Sequence, residues 1–230
     1  MEKVYSVIIA MIVSFVTVTS GNVKLPEPEK LAEGVESAAA ETATAEQKAV
    51  EEPKQKGYGR ILLVGDSRSV DMFTGDAGEV YGAVYDGITV YCRDAEGFNF
   101  LREAVGAHGI DNFDTLLTLM GCNSYGDFSE YGPYYDSLIE QGKTIVVCTV
   151  GPTADQYLAS EFDKTHYENV RQVQFNNSLV AWANQRGVKV IDLYSYINNS
   201  SSIIISEADG IHFFPQPTTE LWNYIKANLK

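Results

Sequence analysis

Five short apolar runs, rich in β-branched residues, punctuate the chain at 61–64, 88–92, 115–120, 144–150 and 188–193. Each is apolar almost throughout, the pattern of a strand covered on both faces. Between and after them lie segments with helical periodicity, at 98–105, 134–141, 167–185 and 218–229. In the longest, Val170, Val173, Leu179 and Trp182 recur at roughly helical spacing. Gly187 then supplies a stop before the last apolar run. Strands alternating with amphipathic helices predict an α/β domain over 58–230, with a five-stranded parallel sheet covered on both faces.

The chain before this domain has a different texture. Lys3 precedes an apolar stretch over 4–18, interrupted by Tyr5, Ser6, Ser14 and Thr17. Val18-Thr19-Ser20 then puts small residues at cleavage positions before Gly21. Residues 1–20 therefore read as an export signal. The stretch is short against the roughly 20 residues of a membrane span. Removal by signal peptidase and retention as an N-terminal anchor both fit it. No cysteine lies there to carry a lipid. Residues 21–57 are rich in Ala, Glu, Lys, Thr and Pro and hold no aromatic residue. Such a segment buries too little to offset its ordering entropy, which predicts a disordered acidic linker.

Charge narrows the partners. A formal net charge of −14 argues against nucleic acid, whose phosphates demand a basic surface. It argues equally against electrostatic docking on anionic lipid or wall polymers, and leaves neutral sugars open. The three cysteines, Cys92, Cys122 and Cys148, cannot all pair with one another. They sit in or at the ends of apolar runs without metal-ligand spacing. Buried, inert thiols, no metal and no cofactor are expected.

In an open parallel sheet, ligands bind beyond the carboxyl ends of the strands. Gly65-Asp66-Ser67 ends the first run, Gly97 follows the second, Gly121-Cys122-Asn123 ends the third, and Gly151-Pro152-Thr153 ends the fourth. Asp209 and His212 follow the fifth, before the last helix. The polar candidates thus converge on one rim. Ser67 at a strand-to-helix turn is held rigidly, as a nucleophile or simply as the cap of a helix starting near Arg68. Asp209, three residues before His212, can hold the imidazole Nδ1 and leave Nε2 facing Ser67. Ser67 N–H, Gly97 N–H and the Asn123 amide are candidate donors to a developing oxyanion. The other histidines are placed as bystanders, His108 in a loop and His166 opening the long helix.

These blocks together resemble the SGNH (GDSL-type) hydrolase family. Gly65-Asp66-Ser67, Gly97, Gly121-Cys122-Asn123 and Asp209-Gly210-Ile211-His212 match its four motifs over residues 58–230. The stretch Gly97-Phe98-Asn99-Phe100-Leu101 is similar to that of secreted bacterial members. The resemblance implies a flavodoxin-like three-layer α/β/α sandwich and metal-free ester hydrolysis. It implies Ser67 as nucleophile, His212 as base, Asp209 as its orienter, and Ser67, Gly97 and Asn123 as the oxyanion hole. Two positions depart from the family: Ser124 stands where Asp is usual, and Arg68 where Leu is usual.

The expected function is that of an exported serine esterase, removing small acyl groups, acetyl foremost, from cell-envelope or environmental carbohydrate. Phe98, Tyr125 and Phe213 are the rim aromatics that could face a sugar. A broad short-chain esterase or lysophospholipase-type acylhydrolase is the alternative enzyme. An envelope binding module that keeps the fold without catalysis is the alternative class.

Overall fold

The structure, a computed structural model, describes residues 57–74 and 78–229. The expected signal and nearly all of the expected linker lie outside the described residues.

The chain enters through β1 (Ile61–Gly65), α1 (Ser67–Phe73), β2 (Glu79–Tyr85) and β3 (Ile88–Arg93). It continues through α2 (Phe98–His108), β4 (Thr115–Leu119), α3 (Tyr131–Glu140) and β5 (Thr144–Cys148). Then come α4 (Glu161–His166), α5 (Asn169–Arg186), β6 (Lys189–Ile191) and α6 (Leu193–Asn199). A two-stranded ladder of β7 (Ile204–Ile205) and β8 (Phe213–Phe214) precedes α7 (Thr219–Ala227).

The main sheet has the order β2-β3-β1-β4-β5-β6. Strands β3, β1, β4, β5 and β6 are parallel neighbours, as the five apolar runs predict. The sheet has six strands rather than five, because β2 adds antiparallel to the outer edge of β3. The two are joined at Asp86-Gly87, with φ of 51° and 82°, the left-handed pair that a two-residue hairpin requires. The Asp-Gly signal is present in the sequence. It is masked by β2 itself, an edge strand whose register shifts between Tyr81 and Ala83 and whose side chains are mostly exposed or half-buried.

Side-chain alternation explains the continuous apolar runs. Leu62 and Val64 of β1, Ile145 and Val147 of β5 and Leu116 of β4 face one layer, packed on α2, α3 and α5. Leu63, Val146, Cys148 and Leu117 face the other, packed on α1, α6 and α7. Both faces are buried, so no strand position is left polar by default. The result is the three-layer α/β/α sandwich of the GDSL/SGNH hydrolases.

Local differences concern helix ends. The helix expected from Tyr134 starts a turn earlier, at Tyr131. His108 is the last residue of α2 rather than part of a loop. His166 does not open the long helix. A Ser160–Asp163 capping box starts a separate short helix that ends at His166, and α5 begins only at Asn169.

Candidate active site

Strand β1 stops at Gly65 because the next helix must start against it. A Cβ on Gly65 would lie 1.9 Å from Ser69 Oγ, so only glycine lets α1 fold back this closely. Asp66 takes the cap: its Oδ1 accepts the Arg68 N–H at 3.2 Å. Its own N–H donates to the Leu119 carbonyl at 3.2 Å and pins the turn to the end of β4. The cap role weighed for Ser67 thus belongs to Asp66. Ser67 is the first helical residue, its N–H without a partner inside the helix and its hydroxyl available to the rim.

The second block hangs on the β7–β8 ladder. Ser206 N–H donates to the His212 carbonyl and Gly210 N–H to the Ser206 carbonyl, each at 2.8 Å. Gly210 has φ of 71°, and a Cβ there would meet the Ala154 carbonyl at 2.6 Å. Inside this tight loop Asp209 Oδ1 accepts the N–H groups of Ile211 (2.7 Å) and His212 (3.0 Å). Its Oδ2 accepts from His212 Nδ1 at 2.8 Å. The tautomer that donates from Nδ1 turns Nε2 as an acceptor towards Ser67 Oγ, 3.0 Å away across 145 residues of sequence. Burial pushes the Asp209 carboxyl up, but the hydrogen bonds from Ile211 and His212 outweigh it and hold it below the usual carboxylate range. An ionised carboxylate, an oriented imidazole and a hydroxyl in line form the arrangement that activates serine.

Asn123 sits in a turn of 3₁₀ helix after β4. Its amide is held from both sides: Nδ2 donates to the Glu96 carbonyl, and Oδ1 accepts from the Tyr167 hydroxyl, each at 2.9 Å. Ser67, His212, Asn123 and Tyr167 line one cleft of about 260 Å³. Gly97, the residue before α2, lines an adjoining cleft of about 320 Å³ that also includes Asn123. Two non-glycine residues flank these donors in the left-handed region, Ala95 at φ 57° and Tyr125 at φ 52°. Such conformations concentrate where a loop is held for function. Ser124, the departure from the family pattern, bonds the Tyr131 hydroxyl at 2.7 Å and so ties the Asn123 turn to α3.

Tyr167 is the site residue that sequence reasoning missed. It reads there only as the start of a helix, and no motif marks a tyrosine between two helices. Arg68 is the other surprise. It is buried, its Nη1 donates to the Gly151 carbonyl at 2.9 Å, and its guanidinium lies 4.8 Å from the ring centre of Phe213. It therefore links the Ser67 helix to the strand carrying the residue after His212. Phe213 is itself 1 % exposed and belongs to the core, not to the rim as expected. Phe98 is half-buried, and Tyr125 is exposed, as a rim aromatic must be.

The thiols are buried, and burial pushes Cys92 and Cys122 up to about 12, with Cys148 raised further. None is a nucleophile at neutral pH. Among the described residues no group of three or more His, Cys, Asp or Glu side chains is arranged to hold a metal ion.

No protein-family model matches the sequence, and no curated protein matches it. Solved structures do. The C-terminal catalytic domain of Streptococcus pneumoniae peptidoglycan O-acetyltransferase A, solved with a methylsulfonyl adduct, superposes with a TM-score of 0.53 at 15% identity, over 74% of this chain and 92% of that one. A lipase/acylhydrolase from Enterococcus faecalis superposes with a TM-score of 0.51 at 12% identity, over 74% and 91%. At such identities the likeness is one of fold: the chain has the α/β/α sandwich that these acyl-handling proteins share.

Proposed function

We propose that this protein is a serine ester hydrolase that works through an acyl-enzyme on Ser67. The observation that carries the reading is the unbroken line from Asp209 Oδ2 through His212 to Ser67 Oγ, at 2.8 and 3.0 Å. As Ser67 Oγ attacks an ester carbonyl, its proton passes to His212 Nε2 and the carbonyl oxygen becomes an oxyanion. The second Nδ2 hydrogen of Asn123 and the N–H groups of Ser67 and Gly97 are the donors for that charge. Collapse of the intermediate expels the alcohol, which takes the proton back from His212. Water then gives one proton to the same nitrogen and its oxygen to the acyl carbon. The second intermediate collapses by breaking the acyl–Oγ bond, Ser67 Oγ takes that proton back from His212, and the carboxylic acid leaves.

The substrate we propose is a small acyl ester, acetyl foremost, on cell-envelope or environmental carbohydrate. Support comes from the export signal read over residues 1–20 and from the exposed Tyr125 at the rim. The likeness to an O-acetyltransferase domain supports a second outcome, in which an alcohol rather than water takes the acyl group. Labelling with a fluorophosphonate tests the chemistry: wild type labels and Ser67→Ala does not. A wild type that stays unlabelled removes the serine-enzyme reading. Acetate release against acetyl transfer, from acetylated polysaccharide with added acceptor, then separates the two outcomes.

A further inference from the structure

The cleft around Ser67 is charged on one side of the ledger only. Asp94 and Asp163 line it together with Ser67, His212 and Tyr167. The adjoining cleft, which shares Asn123, adds Glu96, Asp127 and Glu130. Among the described residues, no lysine or arginine lines either. Arg93, the guanidinium beside this rim in sequence, is taken up by Glu79, Glu96 and Glu103. Arg68, next to the nucleophile, is buried and donates to Gly151.

A second feature of the same wall points the same way. Tyr125 is exposed and packs its ring edge to face against Tyr167, His166 and Phe162, with ring centres 5.5, 4.7 and 6.1 Å away. Tyr167 reaches the cleft, and Phe162 is 53 % exposed beside Asp163. Aromatic rings carry negative charge on their faces, so rings beside carboxylates form a surface that attracts a cation, best an alkylated ammonium.

Resting on the reading of Ser67 as an esterase nucleophile, we propose that the cleft selects esters carrying an ammonium group, with Asp94 and the Tyr167–Tyr125 wall as its recognition elements. Asp163, whose Oδ2 already accepts from Ser160, adds only its charge to the field. Among carbohydrate esters this favours polymers with free amino groups and disfavours those bearing uronic acids or phosphates. Substrate concentration near the cleft rises through the same field, which added salt screens.

The test compares acetylthiocholine with its neutral carbon isostere, the S-(3,3-dimethylbutyl) thioester of acetic acid. Exposed ion pairs and cation–π contacts together predict a kcat/KM about tenfold higher for the cationic ester at low salt. The ratio falls towards unity in high salt. Asp94→Asn is expected to cut it severalfold. Glu140→Gln, at the end of α3 beside the amino ends of the strands, leaves the ratio as it is. A matched pair of phosphonates, one cationic and one neutral, reports the same preference as a rate of Ser67 modification without needing turnover. Equal rates for the cationic and neutral members, or a ratio indifferent to Asp94→Asn, overturn this inference alone. If neither phosphonate modifies Ser67, the esterase reading falls and takes the cation preference with it.

Discussion

The Tyr167 hydroxyl donates to Asn123 Oδ1 at 2.9 Å, and this bond decides which way the amide of a candidate oxyanion donor points. With Nδ2 giving one hydrogen to the Glu96 carbonyl, its other hydrogen is left for the cleft. Tyr167→Phe keeps the ring and frees the amide. Its kcat should fall about tenfold with KM little changed, while Asn123→Ala should lose about 10²–10³ in kcat. A Tyr167→Phe enzyme with wild-type kcat means that Glu96 alone holds the amide.

The Asp209–His212–Ser67 line predicts a graded series. His212→Ala removes the proton acceptor and should lower kcat by about 10⁴-fold or more. Asp209→Asn keeps the shape of the loop but weakens both the ionic hold on Nδ1 and the choice of tautomer, at a cost of about 10²–10⁴. Steady-state kinetics on a small acetyl ester reads both. Turnover in His212→Ala close to wild type removes this histidine from the reaction.

How far the sequence reaches is set by where burial leaves a trace. The runs that became β1, β3, β4, β5 and β6 are legible because both faces of each strand are covered, so hydrophobicity is continuous. Strand β2 escapes because an edge strand keeps only Val80 buried and is interrupted at Gly82. The rim residues Ser67, Asn123, Asp209 and His212 are legible because strand ends must lie together in a parallel sheet. Tyr167 and Arg68 are not, since their partners, Asn123 and Gly151, come from other loops and leave no spacing to read. Phe213 fails for the opposite reason: one residue past His212 the chain has already turned from the rim into the core.

Gly121 carries a prediction about packing. It has φ of 129°, and a Cβ there would lie 2.3 Å from the fully buried ring of Phe175. Gly121→Ala should destabilise by about 2 kcal/mol or more, through backbone strain and overpacking together. Gly106, inside α2, has nothing within 4 Å of the same position. Gly106→Ala should stabilise by about 0.5–1 kcal/mol. Denaturant unfolding of the two variants beside wild type separates them by sign, and two effects of the same sign would contradict this account of the Asn123 turn.

Asp66 makes stability depend on pH. Burial raises its carboxyl from 3.8 to about 6, against the opposing pull of the Arg68 guanidinium and the Arg68 N–H. A carboxyl with a raised folded-state pKa stabilises the fold when protonated. Its contribution is complete below the unfolded value near 3.8 and is lost as pH rises through about 6. At pH 8 the ionised, buried carboxylate therefore costs up to about 3 kcal/mol relative to a neutral group. Asparagine caps a helix about as well as aspartate and carries no charge to bury. Asp66→Asn should thus raise Tm clearly at pH 8 and by much less near pH 4.5, where most of wild-type Asp66 is already protonated in the fold. Burial also raises the Asp71 carboxyl to about 6, but Asp71 and the other titrating groups are common to both proteins, so their own titrations cancel in the comparison. A Tm difference that is the same at both pH values would show that Asp66 does not titrate in this range.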